Sequence, residues 1–202
     1  MIISGEAIST TLYYDRLFEC EAAKIGPGEY YFTKKDMVIV TVVGSCIAAC
    51  IRDKNIGIGG MNHFMLPSNI SEGSEGPFSQ SVRYGTYAME VLLNQLFKNG
   101  ARRENLEVKI FGGGSVLPNM KSLNVGGRNV DFIRSYLQDE GIAIASEDLS
   151  DVYPRKVYFF QKTGKVMVKK LRDNSRSKLV AREDDYAKRI KAAAIGGDVE
   201  LF

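Results

Sequence analysis

Cys46 and His63 are the residues of this chain whose types and spacing predict chemistry. Cys46 follows a run of β-branched residues and a Gly44-Ser45 bend, and His63, the single histidine, follows a second glycine-rich stretch. A free thiol is mostly protonated at neutral pH, and a neighbouring imidazole can take that proton and supply thiolate. The pair therefore predicts a cysteine nucleophile with His63 as its base.

The bend before Cys46 suits such a nucleophile. Gly44 has no side chain, so the backbone can approach a substrate closely there. The backbone N–H groups of Gly44 and Ser45 are candidates to stabilise a developing oxyanion. The alternative is that Cys46 and His63 only pack in the hydrophobic core, because cysteine is among the most buried residue types and His63 has apolar neighbours.

Composition excludes several other kinds of site. One histidine rules out zinc sites built on two or three imidazoles, and the cysteines form no paired zinc-ribbon spacing. Cys46 and Cys50 would lie about 13 Å apart on one extended strand, too far for a disulfide. We predict that Cys20 and Cys50 only pack in the core. The Gly112–Gly114 run lacks the pattern of a phosphate-binding loop and predicts a bend near the site.

Charge and hydropathy predict a cytoplasmic protein. The net charge of +3 gives no indication of a nucleic-acid partner. The amino terminus has no secretory signal pattern, and the apolar stretch 37–43 is far shorter than the ~20 residues that span a bilayer. Three cysteines, which cannot complete a set of disulfides, fit a reducing compartment. We therefore expect no membrane insertion.

Hydrophobic periodicity predicts an α+β fold. The predicted elements are strands over 37–43, 47–51, 106–111 and 142–145, a hairpin of strands 156–160 and 165–169, and helices over 82–98, 128–140 and 183–194. Residues 68–81 predict an exposed loop. Because helices and strands do not alternate strictly, we expect mixed or antiparallel β-sheets packed together and flanked by helices in a single domain.

Several longer segments resemble one family. They are VTVVGSCIAACIRDKNIGIGGMNHFMLP, SVRYGTYAMEVLLNQL, KIFGGGSVLP, NVGGRN and YPRKVYFFQKTGKVMVKKL. Together they are similar to CheD, the chemoreceptor glutamine deamidases of bacterial chemotaxis, from about residue 26 to residue 171. The resemblance implies a deamidase domain over 1–171, and the residue pattern of 172–202 predicts a charged extension with a short helix and a flexible tail.

The resemblance also implies an activity. The expected protein is a cysteine hydrolase that converts glutamine side chains of methyl-accepting chemotaxis receptors to glutamate through a thioester, and that could also cleave glutamate methyl esters. Cys46 would be the nucleophile and His63 the base, and the implied reaction requires no metal and no organic cofactor. A threonine just before the Gly-Ser-Cys bend positions the histidine in this family. Thr41 is the hydroxyl candidate, and Val40 occupies the adjacent position.

Two competing functions follow from the same residues. The chain could be an adaptor that binds the helical cytoplasmic region of receptors and a CheC-type phosphatase, with little catalysis. It could also be a small-molecule amidase or thiol esterase, which predicts a deep closed pocket, whereas a protein deamidase predicts an open, shallow cleft. The tail 196–202 ends in Leu201-Phe202, which we consider as a docking segment.

Overall fold

Ten strands and three α-helices are present in the part of the chain that the structure describes. The computed structural model describes residues 11–66, 80–116, 124–171 and 176–194. The strands are β1 (Thr11–Asp15), β2 (Cys20–Lys24), β3 (Tyr30–Thr33), β4 (Val38–Val43), β5 (Ile47–Asp53), β6 (Ile58–Phe64), β7 (Leu106–Gly112), β8 (Ile144–Leu149), β9 (Arg155–Phe160) and β10 (Lys165–Lys170). The helices are α1 (Gln80–Lys98), α2 (Val125–Asp139) and α3 (Arg176–Ala194), and a 3-10 turn covers Arg103–Asn105.

Two five-stranded sheets carry the fold. Sheet A has the strand order β1-β2-β4-β9-β10, and sheet B has the order β3-β6-β5-β7-β8. Each sheet is mixed: β2 and β4 run parallel in sheet A, β7 and β8 run parallel in sheet B, and the other neighbours are antiparallel. The predicted α+β class with mixed sheets is therefore confirmed.

Alternating side chains of β4 and β5 define the layers. On β5, Ile47, Ala49 and Ile51 pack with α1 and α2, while Ala48 and Cys50 point to the other face, toward sheet A. Ile39 and Val43 on β4 belong to this inter-sheet core as well. The chain is thus layered as sheet A, sheet B and then α1 with α2, and the segment between β4 and β5 crosses from one sheet to the other.

Most predicted elements are present, with shifted bounds. The hairpin forms as β9 and β10, and α1 matches the predicted helix closely. Helix α2 begins at Val125, three residues before the predicted start, because Gly126 fits against the backbone of Gly113 where a Cβ would clash. The glycine-rich stretch before His63 forms the first half of β6, where Gly59 and Gly60 are buried.

Other predictions fall partly outside the described residues. The predicted loop 68–81 lies mainly there, and so does the tail 196–202. Within the described ranges, no helix is long and apolar enough to cross a membrane.

Candidate active site

Cys46 lies at the crossover between the two sheets. It is fully buried, directly before the first residue of β5. The loop after β7 holds this crossover from the side, since the backbone N–H of Gly113 donates to the Cys46 carbonyl (2.8 Å) and that of Gly114 donates to the Gly44 carbonyl (2.7 Å). The predicted bend at Gly112–Gly114 therefore does lie beside Cys46.

His63 reaches the same space from β6. It shares a strand face with Met61, which belongs to the inter-sheet core, and it is 1% exposed. Both backbone groups of His63 hydrogen-bond to the loop after β2. Gly28 N–H donates to the His63 carbonyl (2.7 Å), and His63 N–H donates to the Glu29 carbonyl (2.9 Å). The ring position is thus fixed by the backbone as well as by packing.

Thr41 determines which nitrogen of His63 carries the proton. The Thr41 hydroxyl donates to the Ile25 carbonyl at 2.9 Å and lies 2.8 Å from His63 Nδ1. Because its one proton is used on Ile25, the hydroxyl must accept from Nδ1–H. Nε2 is then the unprotonated nitrogen, and it is buried with no hydrogen-bond partner. This lone pair is available to take a proton.

The adjacent Val40 cannot serve in place of Thr41. Alternation along β4 turns Val40 to the outer face of sheet A, where it packs with Ala22, Val38 and Tyr158. Thr41 points inward between Ile39 and Val43 of the inter-sheet core. Strand geometry thus places the hydroxyl, and not the valine, against the imidazole.

Glu183 completes the site and was not expected from the sequence. It comes from α3, is fully buried, and accepts hydrogen bonds from Gly44 N–H (2.7 Å), Ser45 N–H (2.9 Å) and the Ser45 hydroxyl (2.6 Å). The two backbone donors proposed for an oxyanion therefore converge on one carboxylate beside Cys46. Glu183 lies in an Arg-Glu-Asp-Asp run that resembles a solvated face, but its spacing with buried Leu179, Tyr186 and Ile190 could have signalled it.

The electrostatics favour a neutral thiol and a neutral ring in this arrangement. Burial, and then the Glu183 charge and hydrogen bond, raise the pKa of the Cys46 thiol well above its usual range. Burial, with a smaller contribution from the Arg182 guanidinium, lowers the pKa of His63 from 6.5 to about 3. A base is therefore present, but Glu183 disfavours the thiolate that the base would create.

Asn129 is a second residue that the sequence analysis did not assign. From α2, its amide Nδ2 donates to the Ser45 carbonyl (2.8 Å), and its Oδ1 accepts from Leu66 N–H (2.8 Å). Leu66 follows the strand of His63, so one fully buried side chain joins the segments that carry nucleophile and base. Its place in the Asn-Val-Gly-Gly-Arg-Asn segment was the available signal.

The site also presents a set of donors that a metal could use. Among the described residues, ligand atoms of Cys46, His63 and Glu183 lie within 4.8 Å of one another, and thiolate, imidazole and carboxylate are donors that zinc accepts. The Glu183 oxygens already accept three hydrogen bonds without a cation. The expectation of a metal-free site stays a prediction.

The expected open cleft is not what this structure has. Cys46 and His63 are covered, because α3 lies over the site and inserts Glu183 into it. The other cysteines, Cys20 and Cys50, are free thiols, as expected, and Cys50 packs in the inter-sheet core.

Comparison with known proteins gives one consistent result. A family model described as CheD, chemotactic sensory transduction, matches residues 65–170. Proteins of Methylobacillus flagellatus (61% identical; 98% of this chain and 97% of the relative covered), Thiobacillus denitrificans (60%; 98% and 97%) and Janthinobacterium sp. (58%; 99% and 98%) are each named "Probable chemoreceptor glutamine deamidase CheD". The chain belongs to the CheD family. The family-model match begins after His63, so the geometry of Cys46 and His63 is independent of it.

Removing the Thr41 hydroxyl tests its role in this CheD-family site. We expect Thr41→Val to lower the kcat for glutamine deamidation by roughly 10- to 100-fold, less than the ~10⁴-fold that follows loss of the charged orienting group of a catalytic triad. The reason is that a neutral hydroxyl fixes the tautomer but supplies no charge. Thr41→Ser keeps the hydroxyl and is the matched control. Equal kcat values for the valine and serine variants would contradict the role.

Proposed function

We propose that this protein is a cysteine hydrolase that deamidates glutamine side chains of chemoreceptors to glutamate. The observation that carries the proposal is the Thr41–His63 hydrogen bond of 2.8 Å, since it leaves the Nε2 lone pair unpartnered in the space shared with the Cys46 thiol. The names of the CheD relatives support glutamine as the target.

The first half of the reaction follows from these positions. His63 Nε2 takes the Cys46 proton, and the sulfur attacks the side-chain carbonyl carbon of the substrate glutamine. The oxygen becomes an oxyanion, which Gly44 N–H and Ser45 N–H stabilise, because they already converge on a carboxylate in this structure. As the C–N bond breaks, His63 returns its proton to nitrogen, so that ammonia leaves and a thioester remains.

The second half regenerates the thiol. His63 takes a proton from water, the hydroxide attacks the thioester carbonyl, and the proton passes to the departing Cys46 sulfur. The sum is glutamine plus water giving glutamate plus ammonia, with no redox change. A glutamate methyl ester would pass through the same thioester, and methanol would leave in place of ammonia.

The proposed partners follow from the substrate. They are methyl-accepting chemotaxis receptors, through the helical region that lies in the cytoplasm, and the protein itself would work in that compartment. A CheC-type phosphatase is a second proposed partner, on the family resemblance alone.

Mass spectrometry of a receptor cytoplasmic fragment tests the function. The fragment is incubated with the wild-type protein or with Cys46→Ala, in parallel samples with and without EDTA. We expect a gain of about 1 Da for each modified glutamine with the wild type only, because the alanine variant has no nucleophile.

Cys50→Ala is the matched control, since it removes a buried thiol outside the proposed machinery. No gain with a folded wild-type protein would favour the adaptor function. A gain that EDTA abolishes would indicate that Cys46, His63 and Glu183 act through a metal.

A further inference from the structure

Helix α3 carries one carboxylate in the middle of an otherwise apolar stripe. Leu179, Glu183, Tyr186 and Ile190 are buried and spaced by four, three and four residues, so they share one face of the helix. Burying a carboxylate without compensation is costly. Here the cost is offset by the three hydrogen bonds that Glu183 accepts from the Gly44-Ser45 bend.

The bend is shaped to receive this group. A Cβ at Gly44 would clash with the Val116 side chain and would lie 3.0 Å from both Glu183 oxygens, so the absence of a side chain leaves room for Val116 and for the carboxylate. Gly44 does not have the positive φ that would otherwise explain a glycine. The space above the bend is therefore a pocket for a planar, oxygen-bearing group at the end of a side chain.

Beyond Glu183, the helix is seated in a groove. We define the α3 groove as the Gly44–Cys46 bend, the 25–29 loop and Tyr84. Tyr186 packs over Gly28, and a Cβ added to Gly28 would lie 2.7 Å from the Tyr186 hydroxyl. The same hydroxyl hydrogen-bonds to the Tyr84 hydroxyl. Tyr186 and Ile190 also join the inter-sheet core. The α3 groove thus fits an amphipathic helix that inserts one long acyl side chain toward Cys46.

Glutamate is the product of the proposed reaction, and the proposed substrate side chain is itself carried on a helix. Resting on that proposed function, we propose that α3 occupies the groove that binds the receptor helix, and that Glu183 stands where the product carboxylate stands. The occupant that displaces it is a receptor helix whose target glutamine has apolar or small side chains one turn away on the same face.

An internal competitor has a defined kinetic effect. The substrate must displace α3 before it binds. The apparent dissociation constant of the substrate is therefore the intrinsic constant divided by the fraction of molecules in which the groove is open, while the bound complex is unchanged. The competition therefore raises KM and leaves kcat alone. In the closed state, burial and then the Glu183 charge also keep the Cys46 thiol protonated, which suppresses its reaction with other electrophiles.

Glu183→Ala in the full-length chain tests the proposal, with Asp185→Ala as the matched control. Asp185 lies on the exposed face of α3, where it pairs with Arg189, so the control removes the same charge without touching the groove. The first measurement is the alkylation rate of each cysteine by iodoacetamide, read by peptide mass spectrometry. We expect Cys46 to react at least tenfold faster in Glu183→Ala than in the wild type or the control, with Cys20 as the internal reference.

The second measurement is steady-state deamidation of the receptor fragment. We expect Glu183→Ala to lower KM about tenfold with kcat within twofold of the wild type, and Asp185→Ala to change neither. An unchanged KM, or a kcat that falls with it, would overturn the proposal even though the protein deamidates receptors. If no form of the protein deamidates, the proposed function fails, and unchanged Cys46 alkylation would show that α3 is not a cover either.

A second variant tests the same proposal if Glu183→Ala does not fold. Ile190→Ala weakens the packing of α3 two turns beyond Glu183, and we expect it to shift the alkylation rate and KM in the same direction by a smaller factor. Circular dichroism verifies that each variant is folded. An Ile190→Ala protein that is folded but matches the wild type in both measurements would contradict a docking equilibrium of α3.

Discussion

His63→Asn is expected to lower the turnover of glutamine by about 10²- to 10⁴-fold, the usual contribution of a general acid and base. The variant removes Nε2, the buried nitrogen that has no hydrogen-bond partner, while the asparagine amide at this position can still donate to Thr41. The measurement is the rate of receptor-fragment deamidation by mass spectrometry. A variant that keeps a tenth or more of the wild-type rate would mean that another group acts as the base.

The same substitution is expected to make the fold less sensitive to acid. The pKa of His63 is about 3 in the folded chain and about 6.5 when exposed, so between these values the unfolded state binds a proton that the folded state refuses. Stability is therefore lost as pH falls from about 6.5 toward about 3, by at most ~1.4 kcal/mol per pH unit from this group.

Urea unfolding at pH 6.5 and pH 5 separates this contribution from those of the carboxylates. The wild type should lose about 1–2 kcal/mol more than His63→Asn between the two pH values. Equal losses would mean that the ring is not buried in its neutral form. A folded, more acid-resistant and inactive variant also excludes misfolding as the cause of the lost turnover.

Gly112→Ala is expected to destabilise the protein by about 2–5 kcal/mol, because two costs add at this position. Gly112 has φ +116°, which side chains rarely adopt, and an added Cβ would clash with the Cys46 carbonyl oxygen. The clash falls on backbone that is tied by the Gly113–Cys46 hydrogen bond, so it cannot be relieved by a rotamer change. Cys46 must move, and turnover should fall with stability.

Gly141→Ala is the matched control. Gly141 also has positive φ, at +64°, but nothing lies within 4 Å of a Cβ placed there. It should cost only the conformational part, about 1–2 kcal/mol, with unchanged turnover. Urea unfolding and deamidation of the receptor fragment are measured for both. Equal destabilisation by the two substitutions would contradict the close contact with Cys46.

Local patterns were sufficient to predict the elements that carry the nucleophile and the base. The dense β-branched run became β4, and its alternation already implies that Thr41 and Val40 face opposite ways. What no local pattern contains is that β4 and β5 belong to different sheets, since strand order depends on which distant segments pair. The meeting of Thr41 and His63 across the inter-sheet core follows from that pairing.

The long-range members of the site were missed for the same reason. Glu183 is 139 residues from Gly44 along the chain, and its immediate neighbours are charged. Helix propensity predicted a helix from residue 183, whereas α3 begins at Arg176. The missing first two turns contain Leu179, the apolar residue that would have shown the buried stripe. A charged residue within an apolar helix face, as at Glu183, indicates a buried and paired charge.

The division of the site between two sheets has a consequence during synthesis. Thr41 and Cys46 leave the ribosome early, but β4 lies between β2 and β9 in sheet A, and β9 ends at Phe160. Because a chain is synthesised from its amino terminus, β4 has no β9 to pair with until residues 155–160 have emerged. The strand that carries Thr41 therefore gains its second neighbour only then. A chain that ends before β9 carries the same thiol, but the strand of Thr41 is then held on one side only.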